Sequence, residues 1–308
     1  MINRINELKN MSLGPDIIGV APASRFDKDD PIFKILPETK SVVCLCYRIL
    51  RGTHRGIEEG TSYHHYTTMA IEVLEETVMP MMALRCARII EEEGYIALPQ
   101  RKTQVIMQEE DSTNPEMLYN KIYRGKKAEY QMNYEATAVK CGIGEIGLSG
   151  TLLTDDFGPL QRYCFVLTDA EIEPTAEFAA HICDNCGECL KACPGSAIRD
   201  KVKDPWQCAT YYAGANMSKN PFMSQHALPD MEDRLDILKG EKKLSSDEAR
   251  QVIDQIPYYP PIMHGYISSI CGNACDRACY IHLEEKGVLN KKFKDKFRKR
   301  EEWVLDVK

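Results

Sequence analysis

A chain of 308 residues, 44% hydrophobic and 28% charged, can build one large or two modest cores and carries an ordinary globular charge load. Its net charge of -7 makes wholesale nucleic-acid binding an unlikely role. No run of 18 apolar residues suggests a membrane span.

The N-terminal MINRINELKNMSLGPD has neither an apolar signal stretch nor a twin-arginine pair, so a cytoplasmic protein is expected. The apolar runs at 17–21 (IIGVA) and 41–47 (SVVCLCY) are bounded by turn-forming or charged residues and predict buried strands. From Tyr66 to Glu93 the pattern turns helical. Met69, Val73, Val78 and Met82 fall near one face, and Glu72, Glu75 and Glu76 on another. Pro80 should kink or split this stretch, and Gly94 should end it.

Residues 99–127 are polar and irregular, with a strong turn signal in DSTNP (111–115). A helix is predicted from about Tyr130 to Lys140. The glycine-rich turn CGIGEIGLSG (141–150) follows, then strand-like runs at 151–154 and 163–168. This α/β segment ends near Pro174. Farther on, 230–239 and 246–256 read as helices. The basic run Lys291, Lys292, Lys294, Lys296, Arg298, Lys299 and Arg300 reads as a solvated helical face or as a docking patch for an acidic electron donor.

Thirteen cysteines are present, eight of them between 183 and 279. In a reducing compartment such clustering points to metal rather than disulfides. Cys183, Cys186, Cys189 and Cys193, followed by Pro194, have the spacing C-x2-C-x2-C-x3-C-P of two-cluster ferredoxins. The tight loop lets three thiolates converge on one cubane. The fourth cysteine should start a helix that leads away and serve the other cluster. A structural zinc site is the competing reading, but zinc sites favour paired knuckles closing on one ion. Cys208, Cys271, Cys275 and Cys279 bring the ligand total to eight, enough for two 4Fe-4S clusters. Their C-x3-C-x3-C string lacks a proline after Cys279. Cys44, Cys46, Cys86, Cys141 and Cys164 read as small core hydrophobes.

The stretch 142–169 followed by the cysteine-rich segment resembles the epoxyqueuosine reductase and reductive dehalogenase superfamily. The residues that carry the resemblance are Gly142, Gly144 and Gly147, then Leu152 and Leu153, then Gly158, Pro159 and Arg162, then Thr168 and Asp169. Gly60, Tyr63 and His64 resemble a G-x-x-Y-H element, and Cys208 with Tyr211 a C-x-x-Y element.

The resemblance implies an α/β (α+β) fold: a nitroreductase-like cobalamin-binding domain over 1–176, a ferredoxin-like two-cluster domain over 177–285, and a basic tail over 286–308. It implies cobalamin near Gly142, Gly144, Gly147, Leu152 and Gly158, where glycine permits close backbone approach. Cys183, Cys186, Cys189 and Cys279 would hold one cluster, and Cys193, Cys208, Cys271 and Cys275 the other. A Rossmann nucleotide site is disfavoured for this glycine pattern because a helix, not a strand, precedes Gly142.

Where the reductases carry a proton-donating aspartate, this chain has Ala128, with Glu129, Tyr130, Tyr134 and Glu135 close by. Arg162 matches the arginine of the dehalogenase G-P-x-x-R element. Following the Gly158-Pro159 turn, it should aim at the glycine-rich loop; Tyr130 and Tyr134 lie one helical turn apart, and Arg162 with at least one of Tyr63, Tyr130 or Tyr134 is expected to line the corrin face where substrate binds. His64 and His65 read as structural histidines. The expected activity is reduction of a small organic substrate with electrons from ferredoxin or flavodoxin. The alternative is a corrin-free electron-transfer or reductive-activation protein acting on a corrinoid partner.

Overall fold

The run SVVCLCY has almost no polar position, which suits a strand covered on both faces. It forms β2 (Ser41–Arg48), buried up to its last residue. In the computed structural model, which describes residues 1–100, 130, 132–199, 201–224, 226–256 and 269–297, the strands in chain order begin with β1 (Ile17–Pro22), β2 and β3 (Ala97–Gln100). They continue with β4 (Glu145–Ile146), β5 (Leu152–Leu153) and β6 (Gln161–Thr168). The main sheet has the order β1-β2-β6-β3. β1 runs antiparallel to β2, pairing Ile17 with Cys46 and Pro22 with Ser41, and β3 antiparallel to β6. The fold is mixed α/β, with small antiparallel sheets.

The described residues fall into two compact units. One draws on 1–48, 74–145 and 162–179, the other on 49–73, 146–161 and 180–308. The linear division at 176 is thus interleaved, since 49–73 and 146–161 lie with the cysteine-rich part.

In the first unit, the helix Met79–Glu91 buries Met79, Met82, Cys86 and Ile90. Pro80 sits in its first turn, where a missing N–H leaves no bond unmade. The helical stretch before it is wound wider than an α-helix over Tyr66–Glu72 and Leu74–Val78. That winding breaks the 3.6-residue phase. Met69, expected on the apolar face, is therefore 55% exposed, whereas Glu72 is buried. Asn133 caps the helix Tyr134–Lys140 by accepting from the Ala136 N–H, so this helix starts later than its sequence pattern suggests. Cys44, Cys46, Cys86, Cys141 and Cys164 are all buried, as expected of core residues. Burial pushes the Cys86 thiol up to about 12.

In the second unit, the helices Pro205–Ala213, Arg234–Lys239 and Ser246–Gln255 enclose Tyr211, Leu228, Ile237, Leu238 and Val252. A capping box between Ser245 and Glu248 fixes the start of the last helix. The helix Ala274–Glu285 ends at Gly287, whose φ of +69° stops it. The described part of the basic run is consequently not a helical face: residues 288–297 are irregular, and Phe297 is buried. Among the described residues no helix is long and apolar enough to cross a membrane. The DSTNP turn, Ala128, Glu129 and Arg298 to Arg300 lie outside the described residues.

Candidate metal centres

The loop from Cys183 to Cys189 doubles back through left-handed backbone at Asn185 (φ +58°) and Gly187 (φ +79°). The Asp184 carboxylate accepts the Cys186 N–H at 3.2 Å. The helix Ala274–Glu285 presents Cys279 to this loop. Cys183, Cys186, Cys189 and Cys279 all line one cleft of about 330 Å³, counted with its open mouth, together with Gly147, Leu148 and His282. The Leu148 N–H donates to the Cys183 sulfur at 3.3 Å. Burial pushes the Cys189 and Cys279 thiols up, and the neighbouring Asp276 adds to the effect on Cys279. Cys186 is exposed. At the rim His282 and Lys286 both bond Asp184, the imidazole at 3.0 Å, and hold its carboxyl below the usual range.

The other four cysteines form a second group. Cys193 closes the helix Glu188–Ala192 instead of starting one, because Pro194 bars its predecessor from helical backbone. Cys208 rides on the helix Pro205–Ala213, whose cap Asp204 accepts the Trp206 and Gln207 N–H groups. Cys271 lies just before the helix Ala274–Glu285, and Cys275 lies in its first turn. Cys208 is within electrostatic reach of Cys271 and Cys193, and Cys275 of Cys271 and Cys208. Burial, then these neighbours, pushes Cys208 up to about 12. The Ala197 N–H donates to the Cys193 sulfur at 3.3 Å.

Charged side chains back this second group. Arg277 donates to the carbonyls of Cys271 at 3.0 Å and Gly272 at 3.2 Å, and stands 3.7 Å from Glu58. Burial pushes the Glu58 carboxyl up to about 7 against the pull of Arg277. Asp276 is buried and accepts from Thr151 at 3.1 Å, with the Lys203 ammonium 3.7 Å away. Asn273 bridges Asp276 and the Tyr66 hydroxyl. Asp276 and Arg277 could have been singled out from their position between Cys275 and Cys279. Nothing in the local sequence marks Glu58 or Lys203.

Two sets of four thiols, with backbone N–H groups aimed at sulfur, suit thiolate-ligated iron–sulfur clusters. The positions assigned to a corrin suit it less well. A side chain at Gly142, whose φ is +74°, would meet the Ala176 carbonyl oxygen at 2.2 Å. One at Gly147 would meet Leu153 at 2.8 Å, and one at Gly158 would meet Leu283 at 3.1 Å. Gly144 and Leu152 are buried. At Gly142, Gly147 and Gly158 the chain's own atoms fill the side that a Cβ would take.

Arg162 lies on β6, and its guanidinium meets Glu75 at 3.1 Å, both side chains mostly buried. Tyr134 begins its helix and packs edge-on to Phe165 at 5.1 Å. Tyr130 is 41% exposed and precedes the helix, so the two tyrosines do not share a helical face. Tyr63 is buried edge-on to Phe222 at 5.3 Å. Tyr163, which the sequence did not single out, neighbours Glu135 and Arg162. Burial and then Glu135 push its hydroxyl up, while Arg162 pulls the other way.

Two four-thiol groups make the second unit cysteine-rich, a pattern consistent with iron–sulfur binding. No protein-family model matches the chain. Over 92 residues it is 42% identical to a tetrachloroethene reductive dehalogenase from Desulfitobacterium hafniense, covering 28% of this chain and 15% of that protein. Over 77 residues it is 32% identical to an epoxyqueuosine reductase from Listeria monocytogenes, covering 25% of this chain and 20% of that one. The chain thus matches only a minor fraction of the length of either relative. Among solved structures it is similar to the epoxyqueuosine reductase of Streptococcus thermophilus, at 15% identity and a TM-score of 0.47, over 91% of this chain and 80% of that one. A catabolic reductive dehalogenase gives 14% identity and a TM-score of 0.48, over 79% and 32%. The chain is a distant homologue of the epoxyqueuosine reductases and reductive dehalogenases.

Proposed function

We propose that the chain is a cytoplasmic iron–sulfur oxidoreductase holding two 4Fe-4S clusters. Cys183, Cys186, Cys189 and Cys279 would hold one, and Cys193, Cys208, Cys271 and Cys275 the other. The observation that carries this reading is the gathering of four thiols on one cleft, with Cys279 joining a loop far from it in sequence. On this reading the cysteine-rich part is a ferredoxin-like two-cluster domain, and the sheet with its helices is a nitroreductase-like domain.

The homology extends the proposal to cobalamin-dependent reduction of a small organic substrate, with electrons from ferredoxin or flavodoxin. Cobalamin would supply a strongly reducing cobalt centre. The chain's own contribution is to gather the two thiol groups, with Cys186 the exposed thiol of the first, and to hold Arg162, Tyr130, Tyr134 and Tyr63 as candidate acids or anchors.

A second reading is a corrin-free electron-transfer or reductive-activation protein for a corrinoid partner. The close packing at Gly142, Gly147, Gly158 and Leu152 favours it. Anaerobic iron and sulfide analysis tests the first proposal, with about eight irons per chain expected and a reproducible value near half of that refuting it. Visible spectra before and after adding cobalamin separate the two readings. Corrin bands that copurify or shift support the enzyme, and unchanged bands support the corrin-free protein.

A further inference from the structure

One arginine holds the lysine-rich stretch after Gly287 in place. Arg51 lays its guanidinium over Phe293 at 4.5 Å, Phe297 at 5.3 Å and Tyr280 at 5.9 Å. It also pairs with Glu284 at 2.7 Å and donates to the Asp295 carbonyl. With the aromatic rings and a backbone carbonyl of the stretch engaged by Arg51, Lys291, Lys292, Lys294 and Lys296 all remain exposed. Between 286 and 297 five lysines face one aspartate, on a chain whose net charge is -7.

This basic stretch is tied to the rim of the first thiol group. Lys286 pairs with Asp184, which lines the cleft with Cys183 and Cys186. The Asn290 N–H donates to the Asp155 carbonyl at 2.9 Å. The Asp155 carboxylate in turn meets His181 at 2.9 Å, two residues before Cys183. Cys186, on the same loop, is the exposed thiol of the group.

We propose that this lysine face docks an acidic, low-potential ferredoxin, which delivers one electron at a time to the group held by Cys183, Cys186, Cys189 and Cys279. The inference rests on the iron–sulfur reading above. The reduced ferredoxin is oxidised by one electron and the cluster is reduced by one, with no atom transferred. Charge complementarity selects the partner. The chain as a whole repels an acidic protein, so the local positive field fixes where it lands and how fast. The same lysines could meet nucleic-acid phosphate, but the stretch that carries them is tied through Lys286 and Asn290 to the loop of the exposed thiol, which favours an electron carrier.

The experiment uses the full, iron-reconstituted chain and an acidic [2Fe–2S] ferredoxin. Calorimetry measures binding of the oxidised ferredoxin, and stopped-flow bleaching follows reduction by the reduced form and, separately, by dithionite. In Lys291→Glu/Lys292→Glu/Lys294→Glu/Lys296→Glu, ferredoxin affinity and bimolecular rate should fall by roughly tenfold to a hundredfold. Dithionite reduction should be unchanged, and the wild-type rate should drop with added salt. Wild-type protein that does not bind ferredoxin, or a variant that binds equally well, overturns the proposal. So does lysine-dependent binding of a short RNA duplex with no ferredoxin binding. Because binding is read with oxidised ferredoxin, a preparation that takes up no iron would overturn the cluster reading while the docking measurement still stands.

Discussion

Glu58 is a buried carboxyl whose titration should be visible in the stability of the whole protein. Its side chain is 3% exposed and lies 3.7 Å from Arg277. Burial raises its folded-state pKa from 4.5 to about 7. For an acid the sign is clear. The fold favours the protonated form, so this contribution is fully present below pH 4.5 and is lost as pH rises through about 7. Ionisation then costs about 3 kcal/mol at about pH 8.5 and about 1.4 kcal/mol at about pH 5.5. Glu58→Gln keeps the shape and removes the titration. Relative to wild type it should gain about 2 kcal/mol between about pH 5.5 and about pH 8.5. For a chain of this size that is about 4 °C in Tm. Thermal melts of anaerobic, iron-loaded wild type and variant across this range test it. A Tm difference that stays constant with pH refutes the argument, because the two proteins would then share the same proton balance on unfolding.

Three further outcomes follow from the site. Cys208→Ala should abolish or reshape one of two EPR signals and spare the other; two intact signals would make Cys208 a core residue. Gly142→Ala forces a methyl against the Ala176 carbonyl at a positive φ and should lower stability by about 1–3 kcal/mol in denaturant melts, whereas a neutral result would show that the turn yields. Arg162→Leu strands Glu75, 12% exposed in the pair, and should cost about 1–3 kcal/mol while leaving iron content unchanged; loss of iron would tie Arg162 to the clusters instead.

Much of the fold was legible in the sequence because β1, β2 and β6 are runs with few polar positions, and the main helices have clear caps or glycine stops. The eight clustered cysteines were legible because a short loop that converges thiols needs fixed spacing. The misreadings have local causes. Met69 and Glu72 exchanged places because the wide helical turns shift the phase, which hydrophobic periodicity at 3.6 does not register. Tyr130 was placed on a helix that begins only where Asn133 caps it. The basic run was read as helical because its lysines are good helix formers, whereas Arg51, far away in sequence, holds it by its aromatic rings. Glu58 was invisible for the same reason: its charged neighbour Arg277 comes more than 200 residues later.

The interleaving of the two units sets an order of assembly during synthesis. Thr67 accepts the Ser269 N–H and Tyr66 the Asn273 side chain, across separations of 202 and 207 residues. At translation rates of about 5–20 residues per second, the early half of each pair waits about 10–40 s for its partner. Over that interval residues 49–73 leave the ribosome without the packing that will later cover them, so chaperone contact should concentrate on this stretch. The thiols of the first loop, from Cys183 to Cys189, likewise emerge well before Cys279. On the proposed iron–sulfur reading, iron delivered to the nascent chain before the helix Ala274–Glu285 is made would meet an incomplete ligand set, so cluster insertion would have to await that helix.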